Sequence, residues 1–293
     1  MRIAHGMPLP LLPFLLLAAF APATGQIPEK PDPIGNTTAA RFAPPPGATR
    51  VSAAPGSFAA FLRQLPLMPD GASVHLFNGE LKGRQDIHAA VIGISVGSKD
   101  LQQCADAVMR LRAEHLYAQR RYDEIHFNFT NGFRADFSRW ANGQRIEVEG
   151  AHGTRWRPGG RPDSSYASLL SYLDKVFTYA GTASLSKELV NCADKPVEPG
   201  DVFIRGGHPG HAMIVVDVAA FPDGRRAFLL AQSYMPAQEI HVVKNPGHPE
   251  LGAWFIQDGD DRLYTPEWTF NWEDRRQWPC PLRKDPPVRG VAR

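Results

Sequence analysis

The sequence predicts an α+β domain in which one amphipathic helix packs on an antiparallel sheet. Residues 200–234 read as three short strands, because apolar runs alternate there with turns that contain glycine and proline. Upstream, apolar residues recur at helical spacing over residues 101–116, which predicts a helix that reaches about Arg120. Hydrophobic residues make up 43% of the 293 residues, so the chain can bury the core that such a sheet needs.

Short helices and strands are predicted in the first half of the domain. Ser57 is a suitable N-cap for a helix that Pro66 ends, and Ser98 or Asp100 can cap the long helix. Residues 142–160 are rich in Gly and Arg and are predicted as a loop anchored by Trp156. The pattern predicts helices at 58–65 and 101–120, and strands at 74–77, 88–96 and 125–130.

Glycine and proline divide the second half into its elements. A glycine-rich bend at 206–210 separates two strands, and the turn at 222–224 joins the second strand to a third. His211 opens the middle strand directly after the bend, and Gln232 ends the next one. The pattern predicts helices at 168–179 and 185–190, and strands at 202–204, 212–218, 227–232 and 240–243.

The N-terminus resembles a secretory signal. Arg2 supplies the positive charge, residues 9–20 form an apolar run, and Ala21 and Ala23 flank a cleavage site of the small-residue type. The run is too short and too broken by proline to span a bilayer. We expect residues 1–23 to be removed and the mature protein to be periplasmic or secreted, with no stable membrane anchor.

Composition divides the rest of the chain. Residues 24–56 are rich in Pro, Ala and Thr and are predicted to be a disordered linker. The single α+β domain is expected to span residues 57–278, and residues 279–293 are expected to be an irregular, proline-rich tail. The formal net charge of +2 lacks the strong basic excess that is typical of nucleic-acid-binding proteins, so no nucleic-acid partner is expected.

Three cysteines lie beyond the signal: Cys104, Cys192 and Cys280. An exported protein can form disulfides, and an odd number of cysteines leaves one thiol unpaired. The expected bridge joins Cys192 to Cys280 and ties the tail to the domain. A bridge between Cys104 and Cys192 is the rival pairing, and it would remove Cys104 as a nucleophile.

Cys104 is the candidate nucleophile because it lies in the first turn of the long helix. A helix N-terminus lowers the pKa of a thiol, and its N–H groups supply part of an oxyanion hole, with Gln102 or Gln103 as a candidate side-chain donor. A thiolate also needs a histidine base and a group that orients the ring, and His211 and Gln232 fit those roles. The alternative is that Cys104 is a small core residue.

A metal site is a second alternative for this stretch. His208 and His211 are separated by only Pro and Gly, and a third ligand has three candidates that the sequence does not separate: Asp217, His241 and His248. No cofactor or metal is assigned on this pattern.

Five segments resemble an uncharacterised exported bacterial family, domain-of-unknown-function family 4846. That resemblance covers most of residues 57–278 and implies no established activity. The segments are 101–117 (LQQCADAVMRLRAEHLY), 125–134 (IHFNFTNGFR), 179–189 (YAGTASLSKEL), 200–217 and 230–246 (LAQSYMPAQEIHVVKNP).

A more distant resemblance concerns Gly200, Asp201 and the apolar pair after them, followed by His211 and an apolar run. This is similar to the pattern of NlpC/P60 and CHAP-type cysteine peptidases and amidases. The resemblance implies a papain-like layout with Cys104 as nucleophile, His211 as base and Gln232 as the orienting group.

The leading hypothesis is an exported thiol hydrolase that cleaves amide bonds, with a peptide or peptidoglycan substrate implied by the resemblance. Two alternatives come from other classes. One is a non-catalytic envelope binding module on the same fold, and the other is a metal-dependent hydrolase that uses His208 and His211.

Overall fold

The computed structural model describes residues 31–150, 153–257 and 259–279. Its fold is mixed α and β, with a largely antiparallel sheet. The helices are α1 Thr38–Arg41, α2 Phe58–Arg63, α3 Cys104–Ala118, α4 Phe137–Ala141, α5 Tyr166–Tyr179 and α6 Thr182–Glu188. Short 3-10 turns lie at Tyr122–Glu124, Pro249–Leu251 and Trp272–Asp274. The strands are β1 Thr49–Arg50, β2 His88–Val91, β3 His126–Asn128, β4 Arg134–Asp136, β5 Gln144–Glu149, β6 Gly153–Pro158, β7 Val190–Asn191, β8 Val202–Arg205, β9 His211–Ala220, β10 Arg226–Gln232, β11 His241–Val243, β12 Trp254–Ile256, β13 Arg262–Tyr264, β14 Thr269–Asn271 and β15 Arg275–Gln277.

The main sheet is built around β8, β9 and β10, which are the three strands predicted for residues 200–234. Its strand order is β2-β11-β10-β9-β8-β15-β7, with β1 also paired to β9 and β12 also paired to β10. The pairings are antiparallel wherever the described strands meet in this sheet. Each of β8, β9 and β10 is almost wholly buried, because the sheet is covered on both faces.

The two faces of the sheet carry different layers. Ala212 and Ile214 of β9 belong to the core on the side of α3, together with Ala105 and Val108. Met213 and its alternating neighbours belong to a second core on the opposite face, which the hairpin of β13 and β14 covers. The sheet is therefore the middle layer between helices and a hairpin.

A bulge interrupts the regular alternation of β9. Leu229 of β10 pairs with Asp217, whereas the next residue, Leu230, pairs with Val215, so Val216 is the extra residue. Val216 belongs to the core on the helix side, and Asp217 beside it meets Arg63 of α2. The bulge therefore puts Asp217 on the helix side of the sheet, although His211 belongs to the other face.

The predicted linker boundary at residue 56 is wrong. The strand β1 pairs with β9, and Arg50 Nε lies 2.6 Å from Asp217 Oδ2. Arg63 Nε of α2 lies 2.5 Å from the other oxygen of Asp217, whose side chain is fully buried. Trp254 Nε1 also donates to Ala43 O at 2.8 Å. Residues 37–56 are thus part of the folded domain, because they supply a charge that the buried Asp217 needs.

The predicted loop at 142–160 is also wrong, because β5 and β6 form a hairpin there. Ile146 pairs with Trp156 across the two strands. Charged side chains alternate with them, and Arg155 Nη2 lies 2.7 Å from Glu147 Oε2. Pairs of opposite charge across neighbouring strands stabilise such a hairpin.

Other predicted elements differ in their bounds. The predicted strand at 74–77 is reduced to isolated bridges at His75 and Leu76, and the strand at 88–96 ends at Val91. The long helix begins at Cys104, with Gln103 as its N-cap in place of the predicted Ser98 or Asp100. The helix predicted at 185–190 begins earlier and ends earlier, as α6. The proposed signal at 1–23 and nearly all of the tail lie outside the described residues.

Candidate functional site

A cleft of about 320 Å³ opens where α3 begins and β9 begins. Cys104, His211 and Trp268 line this cleft together with the bend between β8 and β9. Gly210 in that bend has no room for a side chain, because a Cβ there would clash with the carbonyl oxygen of Gly207. The glycine thus lets the bend form a close-packed wall of the cleft.

Cys104 is the first residue of α3 and is partly exposed to the cleft. The pKa of its thiol is raised to about 11, mainly by burial and less by the neighbouring Asp106, while backbone N–H groups of Ala212, Ala105 and Cys104 itself act in the opposite direction. The pKa lowering expected from the helix N-terminus is therefore wrong. Loss of hydration outweighs the favourable N–H groups in this position.

Asp106 is the second titratable group at the start of α3. Its Oδ2 accepts a hydrogen bond from the backbone N–H of Gln103 at 3.0 Å, and Oδ1 is buried with no partner among the described residues. Burial raises the pKa of this carboxyl to about 8, against the hydrogen bonds from backbone N–H groups. Asp106 is therefore mostly protonated at neutral pH, and it then exerts little charge on Cys104.

His211 contacts Gln232, the residue that the sequence placed beside it on the next strand. His211 Nε2 lies 2.8 Å from Gln232 Oε1, and both side chains are buried. The rings of Tyr234 and Trp268 lie 5.0 and 5.5 Å from the imidazole, measured between ring centroids. Burial lowers the pKa of His211 to about 4, although the hydrogen bond to Gln232 opposes that shift. The imidazole is therefore neutral at rest.

Gln232 has further partners on the side away from His211. Its Nε2 donates to Glu267 Oε2 at 2.7 Å and lies 3.3 Å from His241 Nε2. Lys82 Nζ donates in turn to Glu267 Oε1 at 2.7 Å. A continuous polar chain thus runs from Lys82 to His211 inside the protein.

The structure brings Cys104 and His211 to the same cleft but does not join them by a hydrogen bond among the described residues. The second ring nitrogen of His211, Nδ1, likewise has no protein partner within that part of the chain. The backbone N–H next to His211, that of Ala212, is directed at the sulfur of Cys104. The thiol and the imidazole therefore flank one opening from adjacent positions.

Of the two predicted oxyanion-hole side chains, Gln103 lines the cleft with Cys104 and Gln102 does not. Gln103 Nε2 donates to Asp100 Oδ1 at 3.3 Å. Gln102 Oε1 accepts from Arg110 Nη1 at 3.0 Å, its Nε2 is buried with no partner among the described residues, and the residue lines a neighbouring cleft. The N–H groups at the start of α3 are the donors that remain nearest to the sulfur.

The residues of the metal alternative are dispersed. Only His208 and His211 line the cleft, since Asp217 is paired with two arginines and His241 lies behind Gln232. His248 Nδ1 lies 3.0 Å from Glu250 Oε1. In the ranges that the structure describes, no three His, Cys, Asp or Glu residues are grouped as metal ligands.

Sequence reasoning missed Lys82, Glu267 and Trp268. Glu267 and Trp268 are carried by the turn between β13 and β14, where Trp268 N donates to Thr265 Oγ1 at 3.2 Å. Lys82 lies 185 positions before Glu267, and neither stands in a recognisable pattern. The run of aromatic residues at 254–278 is the one signal in the sequence near these residues, and aromatic residues are equally typical of a buried core.

The expected Cys192–Cys280 disulfide reaches outside the described residues, since Cys280 is not among them. Cys192 itself is buried beside Arg275, whose Nη2 donates to Cys192 O at 2.7 Å. That bridge stays a prediction. The rival bridge between Cys104 and Cys192 is not formed, because both cysteines are described and neither is joined to the other.

One comparison with known proteins gave a match. A family model described as a domain of unknown function, number 4846, matches residues 38–276. No curated protein and no solved structure matches the chain. In the part of the chain that the structure covers, no helix combines the length and the apolar character that crossing a membrane requires.

Proposed function

This chain belongs to the family of domain of unknown function 4846, and because that description carries no activity, we propose from the site itself that it is a thiol hydrolase of the cysteine peptidase and amidase type. The observation that carries the proposal is the His211–Gln232 pair, which lines one cleft with Cys104 at the start of α3. A helix-borne thiol beside a strand-borne, oriented imidazole is the arrangement that such hydrolases use. A papain-like layout, similar to that of NlpC/P60 enzymes, is part of the same proposal.

The proposed reaction starts from a neutral thiol and a neutral imidazole. Their pKa values lie about seven units apart with the thiol above, so the neutral thiol and the neutral imidazole form the resting pair. We therefore place the proton transfer in the step of attack, when a substrate carbonyl occupies the cleft. His211 Nδ1 takes the proton of Cys104 as the sulfur–carbon bond forms.

The remaining steps return the site to its starting state. The N–H groups at the start of α3 stabilise the oxyanion. The imidazolium gives its proton to the leaving amine as the carbon–nitrogen bond breaks. Water then attacks the thioester, with His211 again as base, and releases the acid and the Cys104 thiol.

A peptide or peptidoglycan substrate and an exported location are proposed together. The signal-like sequence at residues 1–23 and the resemblance to NlpC/P60 and CHAP-type enzymes support them. The cleft lining agrees with an uncharged or cationic substrate, because among the described residues it includes the carboxylate of Asp100 but no lysine or arginine.

A second candidate is a binding module without catalysis. The raised pKa of Cys104 and the missing hydrogen bond to His211 favour it, because both describe a thiol that is not activated at rest. In that case the cleft between Cys104 and Trp268 would hold a ligand without cleaving it.

The test uses the purified full-length chain and peptidoglycan fragments that carry their stem peptides. Mass spectrometry should show new amine and carboxyl ends with the wild type and with Cys192→Ala, the matched control for a buried thiol. Cys104→Ala and His211→Ala should each lower the rate by at least about a hundredfold. Cleavage that persists in Cys104→Ala contradicts the proposal, and binding of the same fragments without cleavage supports the binding module.

A further inference from the structure

We propose that Glu267 is a positioning residue that decides which ring nitrogen of His211 carries the proton, acting through the amide of Gln232. The tautomer is a property of the protein at rest, and only its catalytic consequence depends on the proposed function. The inference follows from the direction of each hydrogen bond in the polar chain behind the cleft.

The donor and acceptor roles in this series of hydrogen bonds are set at its Lys82 end. The Lys82 ammonium has donors only, and its Nζ lies 2.7 Å from Glu267 Oε1. The Glu267 carboxylate, paired with this ammonium, has acceptors only. The group facing Glu267 Oε2 at 2.7 Å must therefore be a donor, which is the NH2 of Gln232. The amide oxygen of Gln232 is then left to face His211.

That orientation decides the tautomer of His211. An amide oxygen accepts and does not donate, so the ring nitrogen 2.8 Å from Gln232 Oε1 must carry the proton. This nitrogen is Nε2. Because the neutral ring has one N–H, Nδ1 keeps its lone pair, and Nδ1 is the nitrogen without a protein partner in the described ranges.

His241 supports the same orientation of Gln232. Its Nδ1 lies 2.9 Å from the carbonyl oxygen of Glu239, so Nδ1 carries the proton and Nε2 accepts. His241 Nε2 lies 3.3 Å from Gln232 Nε2, which again requires the NH2 group on that side. His241 is neutral because burial lowers its pKa to about 3. The NH2 group of Gln232 thus faces two acceptors, Glu267 Oε2 and His241 Nε2, and the contact with Glu267 is the shorter one.

Burial makes the arrangement specific. The side chains of Lys82 and Glu267 are 6% and 12% exposed, and Gln232 is 1% exposed, so water has little access to replace a mismatched partner. If the Gln232 amide were turned, its oxygen would face the Glu267 carboxylate, and these two buried acceptors would lack a hydrogen-bond donor. Under the proposed reaction, the bare Nδ1 is the base that accepts the proton of Cys104.

The test is Glu267→Gln in the full-length chain, read by the protonation of the His211 ring. Histidine labelled with 15N gives different correlations between ring protons and ring nitrogens for the two tautomers, and His211→Asn assigns the signal. We expect the Nε2–H form in the wild type. In the variant, Lys82 donates to the oxygen of the new amide at position 267, so the NH2 of that amide faces Gln232. This favours a Gln232 amide turned by about 180°, with its own NH2 toward His211. The ratio of Nε2–H to Nδ1–H in His211 should fall about tenfold.

The control is Glu239→Gln, which changes a partly buried carboxylate that accepts from the backbone N–H of His75 but does not touch Gln232. The tautomer ratio should stay as in the wild type. An Nδ1–H ring in the wild type overturns the inference without any variant, as does an unchanged ratio in folded Glu267→Gln. If Glu267→Gln shifts the tautomer ratio of His211 but the wild type cleaves no substrate, the inference is supported and only the proposed function is refuted.

Discussion

At the scale of single residues, the cleft holds a thiol and an imidazole whose pKa values are moved in opposite directions by the same cause. Each loses hydration on burial, which disfavours the thiolate of Cys104 and the imidazolium of His211. Their neutral forms are therefore the resting forms. A cysteine at a helix N-terminus is commonly expected to be reactive, and here its depth in the protein outweighs its place on the helix.

The raised pKa predicts how Cys104 responds to alkylation. Iodoacetamide reacts with the thiolate, so the rate should rise about tenfold for each pH unit from pH 7 to about pH 10. The rate should show no plateau below about pH 10, because the pKa is about 11. Labelled peptides measured by mass spectrometry give the rate for Cys104 separately from Cys192. A plateau at or below pH 8 would show a thiolate at neutral pH and would contradict this prediction.

At the scale of elements, β9 joins the cleft to the N-terminal part of the domain. Its first residue is His211, and Asp217 further along holds Arg50 of β1 and Arg63 of α2. A buried carboxylate with two guanidinium partners keeps β1 and α2 against the sheet. The linker interpretation failed because composition alone shows the prolines around residue 45 and not the buried charge that Arg50 meets.

Asp217→Asn tests this anchor. The substitution leaves two guanidinium groups without their counter-charge, so the free energy of unfolding should fall by about 3 kcal/mol. Urea titration followed by circular dichroism measures the loss. Asp223→Asn is the matched control, because Asp223 also pairs with an arginine but is exposed, and its loss of stability should be much smaller than that of Asp217→Asn. Equal losses in the two variants would exclude Asp217 as an anchor.

Local patterns explain which elements the sequence predicted. The strands β8, β9 and β10 follow from apolar runs between turns, and Gln232 could be placed beside His211 because a hairpin brings adjacent strands together. The hairpin of β5 and β6 has no such signal, since charged pairs such as Arg155 and Glu147 alternate with few apolar residues. Glu267 reaches Gln232 through a separate hairpin, and no local pattern encodes that contact.

At the scale of the whole molecule, buried ionisable groups make stability depend on pH in two opposed ways. Burial lowers the pKa of His115 and His211 to about 4 and that of His241 to about 3, so their stabilising effect is complete about one pH unit above 6.5 and is lost as pH falls through these values. Burial raises the pKa of Asp106 to about 8 and of Glu188 to about 7. These carboxyls hold a proton when folded, so the stability they add is lost as pH rises toward those values.

Between pH 7.5 and 8.5 the unfolded histidines have also lost almost all of their protons, so the histidine contribution is nearly constant and the raised pKa values of the buried carboxyls determine the slope. The unfolding temperature of the wild type should therefore fall over this interval, with Asp106 contributing at most about 2 kcal/mol. Asp106→Asn should flatten the fall, because the amide has no proton to lose. Calorimetric scans at several pH values measure the slope. A slope that is the same in both proteins would mean that Asp106 is ionised throughout.

The bulge at Val216 separates the two ends of β9 in a way that has a consequence for insertions and deletions. Because Val216 is the extra residue opposite β10, removing it would leave Val215 opposite Leu230 and Asp217 opposite Leu229, so that His211 and Asp217 both keep their faces of the sheet. Removing one residue beyond Asp217 would instead disturb the far end of the strand, where it pairs with β1 and the start of β10. The strand can therefore lose one residue at the bulge and keep both the cleft and the N-terminal anchor, whereas a deletion beyond Asp217 disturbs the pairing with β1.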